Sequence, residues 1–366
     1  MSGGGTGGHI FPAIALAQEI QKRIPEAEFL FIGANGRMEM EKVPQAGYRI
    51  QGLNIAGFDR GNLLKNIGLP LKIFESLRKA KKIIKDFKPH FAIGTGGFAS
   101  GPALYMAAKL GIPTFIQEQN SLPGKTNIFN AKKAKAVFTA YPEMAHFFPK
   151  TTTYFLGNPI RETIISALTD TLSAKEKLGL DKEKLTVLSV GGSLGSRTLN
   201  NGWKVNLANV QENGYQLLWQ TGKLDYQSII SEVSKPENGI QIKEFISDMA
   251  LAYSAADVIV SRAGAIAISE LAVAGKPVVL VPLPTAAEDH QTKNAQTLVA
   301  KNAAKMVKDD EMKEKFWPTV SAIASQPELR LEMAENIKFF SKPEATKQIV
   351  DQIFKILTIE TQNIKK

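Results

Sequence analysis

The sequence predicts an α/β protein made of two doubly wound, parallel-sheet domains. Short apolar runs alternate with helix-spaced patterns along the chain. In both halves, strands run into glycine-rich turns that open helices. The length of 366 residues exceeds one average domain.

The first element is the turn Ser2-Gly3-Gly4-Gly5-Thr6-Gly7-Gly8-His9, with five glycines in six positions. Glycines bring no side chains to a core; they allow sharp turns and close backbone approach. A helix is predicted from Ile10 to Arg23, with Pro12 in its first turn. A glycine-rich turn feeding a helix N-terminus suits an anion, commonly phosphate, and His9 titrates near neutral pH. Only Met1 and Ser2 precede Gly3, so the sequence predicts a central sheet short of a strand at this turn.

In the first half, strands are expected at Glu28–Ile32, Phe91–Gly94, Pro113–Gln117 and Ala136–Thr139. Parallel sheets bind ligands beyond the carboxyl ends of their strands. Those ends carry Gly94-Thr95-Gly96-Gly97-Phe98-Ala99-Ser100-Gly101-Pro102 and Gln117-Glu118-Gln119-Asn120, followed by Pro123-Gly124-Lys125-Thr126-Asn127. The amides and the carboxylate suit a sugar or phosphate, or else cap helices. In Leu63–Lys88, the apolar Ile73, Phe74, Leu77, Ile84 and Phe87 share a helical face. Lys72, Arg78, Lys79, Lys82 and Lys85 lie elsewhere on the wheel. Such a helix covers a sheet or lies on an anionic bilayer, with Leu63, Leu64, Ile67 and Leu69 as an apolar lip.

Gly157-Asn158-Pro159-Ile160-Arg161 reads as a hinge. Beyond it, strands are expected at Leu185–Val190, Gln216–Gln220, Ile240–Phe245, Val258–Ser261, Pro277–Val281 and Ala304–Val307. The first ends in Gly191-Gly192-Ser193-Leu194-Gly195-Ser196-Arg197, a second phosphate-type turn. Ser261-Arg262-Ala263-Gly264-Ala265 opens a helix through Ile268 and Glu270, stopped by Gly275 and Pro277. Glu270 is placed to accept a ribose diol, or to serve the helix dipole. Gln291 and Asn294 are three apart, on one helical face suited to sugar hydroxyls. A last amphipathic helix is expected from Glu344 to Leu357, with a frayed tail.

Composition narrows the function. With no Cys, disulfides and thiolate metal sites are excluded, and with 4 His a His-rich metal site is not expected. No apolar run reaches membrane-spanning length and no signal peptide precedes the first turn, so a soluble or peripheral protein of a reducing compartment is expected. The net charge is +10. Residues 1–160 hold 20 Lys and Arg against 10 Asp and Glu, and the remainder holds 25 of each. The first half is therefore suited to an anionic partner. Gly3, Gly5 and Gly8 fit a dinucleotide pattern, but Gly33-Ala34-Asn35 lacks its acid. Basic residues are not interleaved with aromatics as in nucleic-acid binders. A sugar-nucleotide enzyme, with donor in one half and acceptor in the other, accounts for both sets of turns.

Together, Gly3–His9, Gly94–Gly101, Gln117–Asn127, Gly157–Arg161, Gly191–Arg197, Phe245–Met249, Arg262–Glu270 and Glu288–Ala295 resemble the MurG family of glycosyltransferases, in order, to about residue 310. The resemblance implies the GT-B fold: two Rossmann-like domains across a cleft, with the C-terminal helix returning to the first. The domains would be 1–158 for the acceptor and the membrane, 159–342 for the donor, and 343–366 for the helix and tail. It implies inverting transfer of N-acetylglucosamine from UDP-N-acetylglucosamine to the muramyl 4-hydroxyl of lipid I. The products would be lipid II and UDP, made for peptidoglycan on the cytoplasmic face of the bacterial membrane.

By the same resemblance, Ser193 and Arg161 would stand at the donor diphosphate and Ile246 would meet uracil. Ala265, Ile266, Ala267, Ile268, Ser269 and Glu270 would cradle phosphate and ribose. Gln291 with Asn294 would read the sugar, and Thr6, Gly7, Gly8 and Asn120 would line the other wall. Gly5, Thr95, Gly96 and Gly97 would meet the acceptor diphosphate. His9 is the first candidate for the base, since its pKa suits neutral pH, and Glu118 the second. No cofactor is required, and a divalent cation is not implied. The alternatives are a UDP-N-acetylglucosamine 2-epimerase on the same fold and a non-catalytic protein of the membrane surface.

Overall fold

Parallel pairing organises both halves of the chain. The structure is a computed structural model that describes residues 1–55, 57, 68–192, 194–233 and 239–364. It divides into two units, Met1–Ile160 with Lys342–Lys366, and Arg161–Ser341.

The first unit contains β1 (Ser2–Gly3), β2 (Leu30–Ala34), β3 (Arg49–Leu53), β4 (Ala92–Gly96), β5 (Thr114–Glu118), β6 (Ala136–Thr139) and β7 (Thr153–Phe155), in the spatial order β3-β2-β1-β4-β5-β6-β7. The central strand is therefore present. It is two residues long, pairing Ser2 with Ile32 on one side and with Gly94 on the other. The shortage expected from the sequence is corrected: so short a strand carries no periodicity to read, and only its neighbours define it.

The second unit contains β8 (Thr186–Val190), β9 (Gln216–Gln220), β10 (Ile240–Lys243), β11 (Val258–Ser261), β12 (Val278–Leu280) and β13 (Lys305–Met306), in the order β10-β9-β8-β11-β12-β13. In each sheet the order reverses once, between β1 and β4 and between β8 and β11. Turns leaving such a pair of strands diverge, and a ligand fits where they part. The glycine-rich turns of the sequence all leave these four strands.

Each unit has its own core. In the first, Leu16 and Ile20 of the helix Gly7–Arg23 meet Ile93, Phe115 and Phe138 from the sheet. Ile349, Val350 and Ile353 of the last helix, Ala345–Ile364, join the same cluster. That helix thus completes the first unit, and it runs on to Ile364 where a frayed tail was expected. In the second unit Trp203, Trp219 and Phe316 are fully buried with the valines of β8 and β11.

One helix start differs from expectation. The first helix begins at Gly7, so Pro12 lies in its interior and His9 in its first turn. The basic helix runs Leu69–Phe87 and buries Ser76, Ala80, Ile83 and Ile84, leaving Leu71, Ile73 and Phe74 exposed. Leu63, Leu64 and Ile67 of the expected lip lie outside the described residues. Among the described residues no helix is long and apolar enough to cross a membrane.

Candidate active site

In the first unit the turns after β1 and β4 interlock. The Gly4 N–H donates to Gly96 O at 3.2 Å. Gly97, at φ +88°, lies against the Gly4 backbone, where an added Cβ would come within 3 Å of three of its atoms. Gly96, at φ +107°, leaves room for the His9 ring, which would stand 2.9 Å from a Cβ there. These are the positions where only glycine fits. His9 is half-buried, with Nδ1 3.0 Å from Gly4 O. Gly5 and Thr6 are exposed beside it, and Gly7 and Gly8 are half-buried.

Thr95 differs from its expected role. It is fully buried and donates its hydroxyl to His9 O at 2.7 Å, so it braces the helix instead of facing a diphosphate. It also fills the space that a side chain at Gly3 would need.

The polar cluster after β5 is built into the fold. Gln117 donates to Asn158 Oδ1 at 2.8 Å, Gln119 donates to Thr95 O at 2.8 Å, and Asn158 donates back to Gln119 O at 3.2 Å. Glu118 is buried and accepts four hydrogen bonds. Asn120 gives two to Oε1, from its backbone N–H and its side-chain amide. The Gly124 N–H and the Asn127 amide give two to Oε2. Burial pushes its carboxyl above the ordinary glutamate range, against the pull of these donors. With its lone-pair sites occupied, Glu118 orders the loop 119–127, and Asn120 is one of the groups it orders.

Glu39 escaped the sequence reading. It opens the helix Glu39–Gln45 and is fully buried, accepting from Ala34 N at 2.9 Å and from Gly5 N at 2.8 Å. A first-turn acid is ordinary in a helix, so only the tertiary contact marks it.

In the second unit the turn after β8 carries Gly192 and Gly195, at φ +90° and +89°. Ser193 lies outside the described residues. Gln220 ties this turn to the loop after β10: its amide donates to Gly192 O at 3.0 Å and its carbonyl accepts from Ile246 N at 2.8 Å. Ile246 is buried beside the exposed Phe245. Its N–H is engaged by Gln220.

After β11 the helix Ala265–Ala274 begins at Gly264, which supplies no side-chain cap. Its first-turn N–H groups, at Ala265, Ile266 and Ala267, carry the positive end of the helix dipole. Ile268 is buried and Ser269 donates its hydroxyl back to Ala265 O. Glu270, one turn further, is buried and held by Arg161 and by the hydroxyl of Tyr253, at 3.3 Å. Arg161 binds it twice, at 3.0 and 3.2 Å.

Gln291 and Asn294 close on one residue, Ala263. Gln291 Oε1 accepts from Ala263 N and from Leu283 N, at 3.2 and 3.0 Å. Asn294 donates to Ala263 O at 3.4 Å. They share a face as expected, but Asn294 is fully buried and Gln291 half-buried. Asn294 is therefore spent inside the unit, and Gln291 is the nearer of the two to the surface. Glu288 and Asp289 precede it in the left-handed region, at φ 56° and 55°. Among the described residues no group of three or more His, Asp or Glu could hold a metal.

Comparison with known proteins fits this arrangement. The model of the glycosyltransferase family 28 N-terminal domain matches residues 1–139, and that of its C-terminal domain matches residues 186–349. A protein of Phocaeicola vulgatus named UDP-N-acetylglucosamine–N-acetylmuramyl-(pentapeptide) pyrophosphoryl-undecaprenol N-acetylglucosamine transferase is 49% identical over 358 residues, 97% of this chain and 95% of its own. A protein of the same name from Christiangramia forsetii is also 49% identical, over 98% and 97% of the two chains. The crystal structure of MurG from Acinetobacter baumannii aligns with a TM-score of 0.80 at 32% identity, over 97% of this chain and 98% of that one.

Proposed function

This chain belongs to glycosyltransferase family 28 and within it to the MurG transferases, and from that membership we infer that it transfers N-acetylglucosamine from UDP-N-acetylglucosamine to lipid I. The observation that carries the reading is full-length identity of 49% to transferases of that name, joined to glycine-rich turns at both switch points. The product is lipid II, the disaccharide precursor of peptidoglycan, with release of UDP.

The chemistry is one displacement with inversion. His9 takes the proton of the muramyl 4-hydroxyl, and that oxygen attacks the anomeric carbon of the donor sugar. The bond from this carbon to the diphosphate oxygen breaks, and UDP leaves with the electron pair. Charge growing on the leaving diphosphate is stabilised by the N-terminus of the helix Ala265–Ala274, by Arg161 and by Ser193. Glu270 takes the ribose diol, the Ile246 carbonyl the uracil, and the Gln291 amide the transferred sugar. Gly5, Gly96 and Gly97 offer backbone to the acceptor diphosphate. Thr95, Glu118 and Asn294 support these groups from beneath. No residue in this scheme calls for a metal or another cofactor.

The first unit is the acceptor half, and the exposed Leu71, Ile73 and Phe74 beside Lys72 and Arg78 dock it on an anionic membrane. Apolar side chains enter the interface while cations meet the headgroups, each contributing about 1 kcal/mol.

The test supplies UDP-N-acetylglucosamine and a lipid I analogue to the purified protein and follows UDP. Release that requires the analogue is expected, and consumption of UDP-N-acetylglucosamine without the analogue and without UDP release would point to the epimerase alternative. No release would overturn the assignment. With His9→Ala, turnover should fall about 100-fold or more, and unchanged turnover would move the base elsewhere.

A further inference from the structure

We propose that Glu39 is the positioning residue of His9 and acts on it through a single peptide unit, Gly4–Gly5; the proposal rests on His9 being the base. The carboxylate accepts from Gly5 N at 2.8 Å, and the carbonyl of the same peptide, Gly4 O, stands 3.0 Å from His9 Nδ1. A peptide group is planar, with N–H and C=O pointing in opposite directions. Fixing the N–H on Glu39 therefore aims the C=O at the imidazole.

The consequence is chemical as well as geometric. The nearer neighbour of Nδ1 is this carbonyl oxygen, which only accepts, with the Thr6 hydroxyl farther off at 3.5 Å, so Nδ1 carries the proton in the neutral ring. That leaves the lone pair on Nε2, the atom that can take a proton from an acceptor hydroxyl. A carboxylate on the N–H side polarises the peptide and strengthens its carbonyl as an acceptor. The chain carboxylate, peptide, imidazole thus selects the basic tautomer through the peptide.

The packing around Glu39 is consistent with this role. Its second oxygen is anchored on Ala34 N at the end of β2, at 2.9 Å. A Cβ at Gly4 would lie within 3 Å of both carboxylate oxygens, and one at Gly33 would lie 2.6 Å from Cγ. Two glycines thus clear the space in which a fully buried acid reaches the turn.

The test compares wild type, Glu39→Gln, Glu39→Asp and His9→Ala, by steady-state kinetics with UDP-N-acetylglucosamine and a lipid I analogue and by nitrogen-15 NMR of the imidazoles. The His9→Ala spectrum assigns the His9 signals. Wild type should show His9 protonated on Nδ1. Glu39→Gln should lower kcat about tenfold or more, with KM for UDP-N-acetylglucosamine within about twofold, and should shift His9 toward the other tautomer. Glu39→Asp keeps the charge with a shorter reach and should fall between the two; it carries the comparison if the Gln variant does not fold. A wild-type ring protonated on Nε2, an unchanged kcat, or a lower kcat with the wild-type tautomer would overturn the proposal. His9→Ala at wild-type turnover would instead remove the base assignment, whatever the tautomer result.

Discussion

Arg161 grips Glu270 with a two-pronged ion pair, Nε to Oε1 at 3.0 Å and Nη2 to Oε2 at 3.2 Å. The residue proposed for the diphosphate thus holds the residue proposed for the ribose. Nucleotide binding must redistribute these bonds, because a diol donates to the same oxygens that Arg161 occupies. Glu270→Ala should raise KM for UDP-N-acetylglucosamine at least about tenfold, the effect of losing a charged hydrogen-bond acceptor worth about 1.5–3 kcal/mol. Stability should fall by about 1–3 kcal/mol, because the buried Tyr253 hydroxyl loses its acceptor while Arg161 returns to water. Initial-rate kinetics and a thermal melt measure both, and an unchanged KM would remove Glu270 from the donor site.

Gly96→Ala tests the close approach of the two turns. The new Cβ meets the His9 ring at 2.9 Å on a backbone at φ +107°. Strain of about 1–3 kcal/mol and a displaced imidazole should lower kcat with little change in donor binding. Calorimetric titration with UDP, set beside turnover, separates the two effects, and full turnover in the variant would refute the tight fit.

Lys276 offers a pH-dependent readout of the second unit. It donates to Thr171 Oγ1 at 2.8 Å and Ser254 O at 3.1 Å, and burial pushes its ammonium below the ordinary lysine range. A base with a depressed folded pKa adds stability above its unfolded value and loses it as pH falls through the folded one. Relative to Lys276→Met, the wild type should therefore be more favoured at pH 10 than at pH 7. Urea denaturation at the two values measures the difference, and a difference of opposite sign would contradict the burial argument.

Leu71→Glu combined with Phe74→Glu addresses the membrane. Both side chains are 64% exposed, so the fold should tolerate the change. Binding to anionic vesicles should fall at least about tenfold while turnover of a soluble acceptor analogue persists. Equal vesicle binding by the variant would place the contact elsewhere.

Much of the fold was legible because buried parallel strands read as apolar runs. Ala136–Thr139, Gln216–Gln220 and Val258–Ser261 have the bounds that the sequence predicts. The strands it missed are β1, β3 and β7. Arg49-Ile50-Gln51-Gly52-Leu53 and Thr153-Tyr154-Phe155 are edge strands, half-covered and mixed in polarity, so their pattern resembles loop. In the site, glycine turns were visible because their chemistry is local. The buried partners were not. Glu39, Thr95 and Asn294 gain their roles from residues far away in the chain, and no spacing rule encodes such contacts.

The two-residue strand β1 has a consequence for how the first unit assembles. Its partners, Ile32 and Gly94, lie 30 and 92 positions along the chain from Ser2. Pairings of such separation form late, after the entropy of closing long loops has been overcome. A strand this short has no nucleus of its own and waits until β2 and β4 flank it. The turn bearing His9 is then among the last segments to order during folding. Signals from its amides would report completion of the domain, ahead of any assay of turnover.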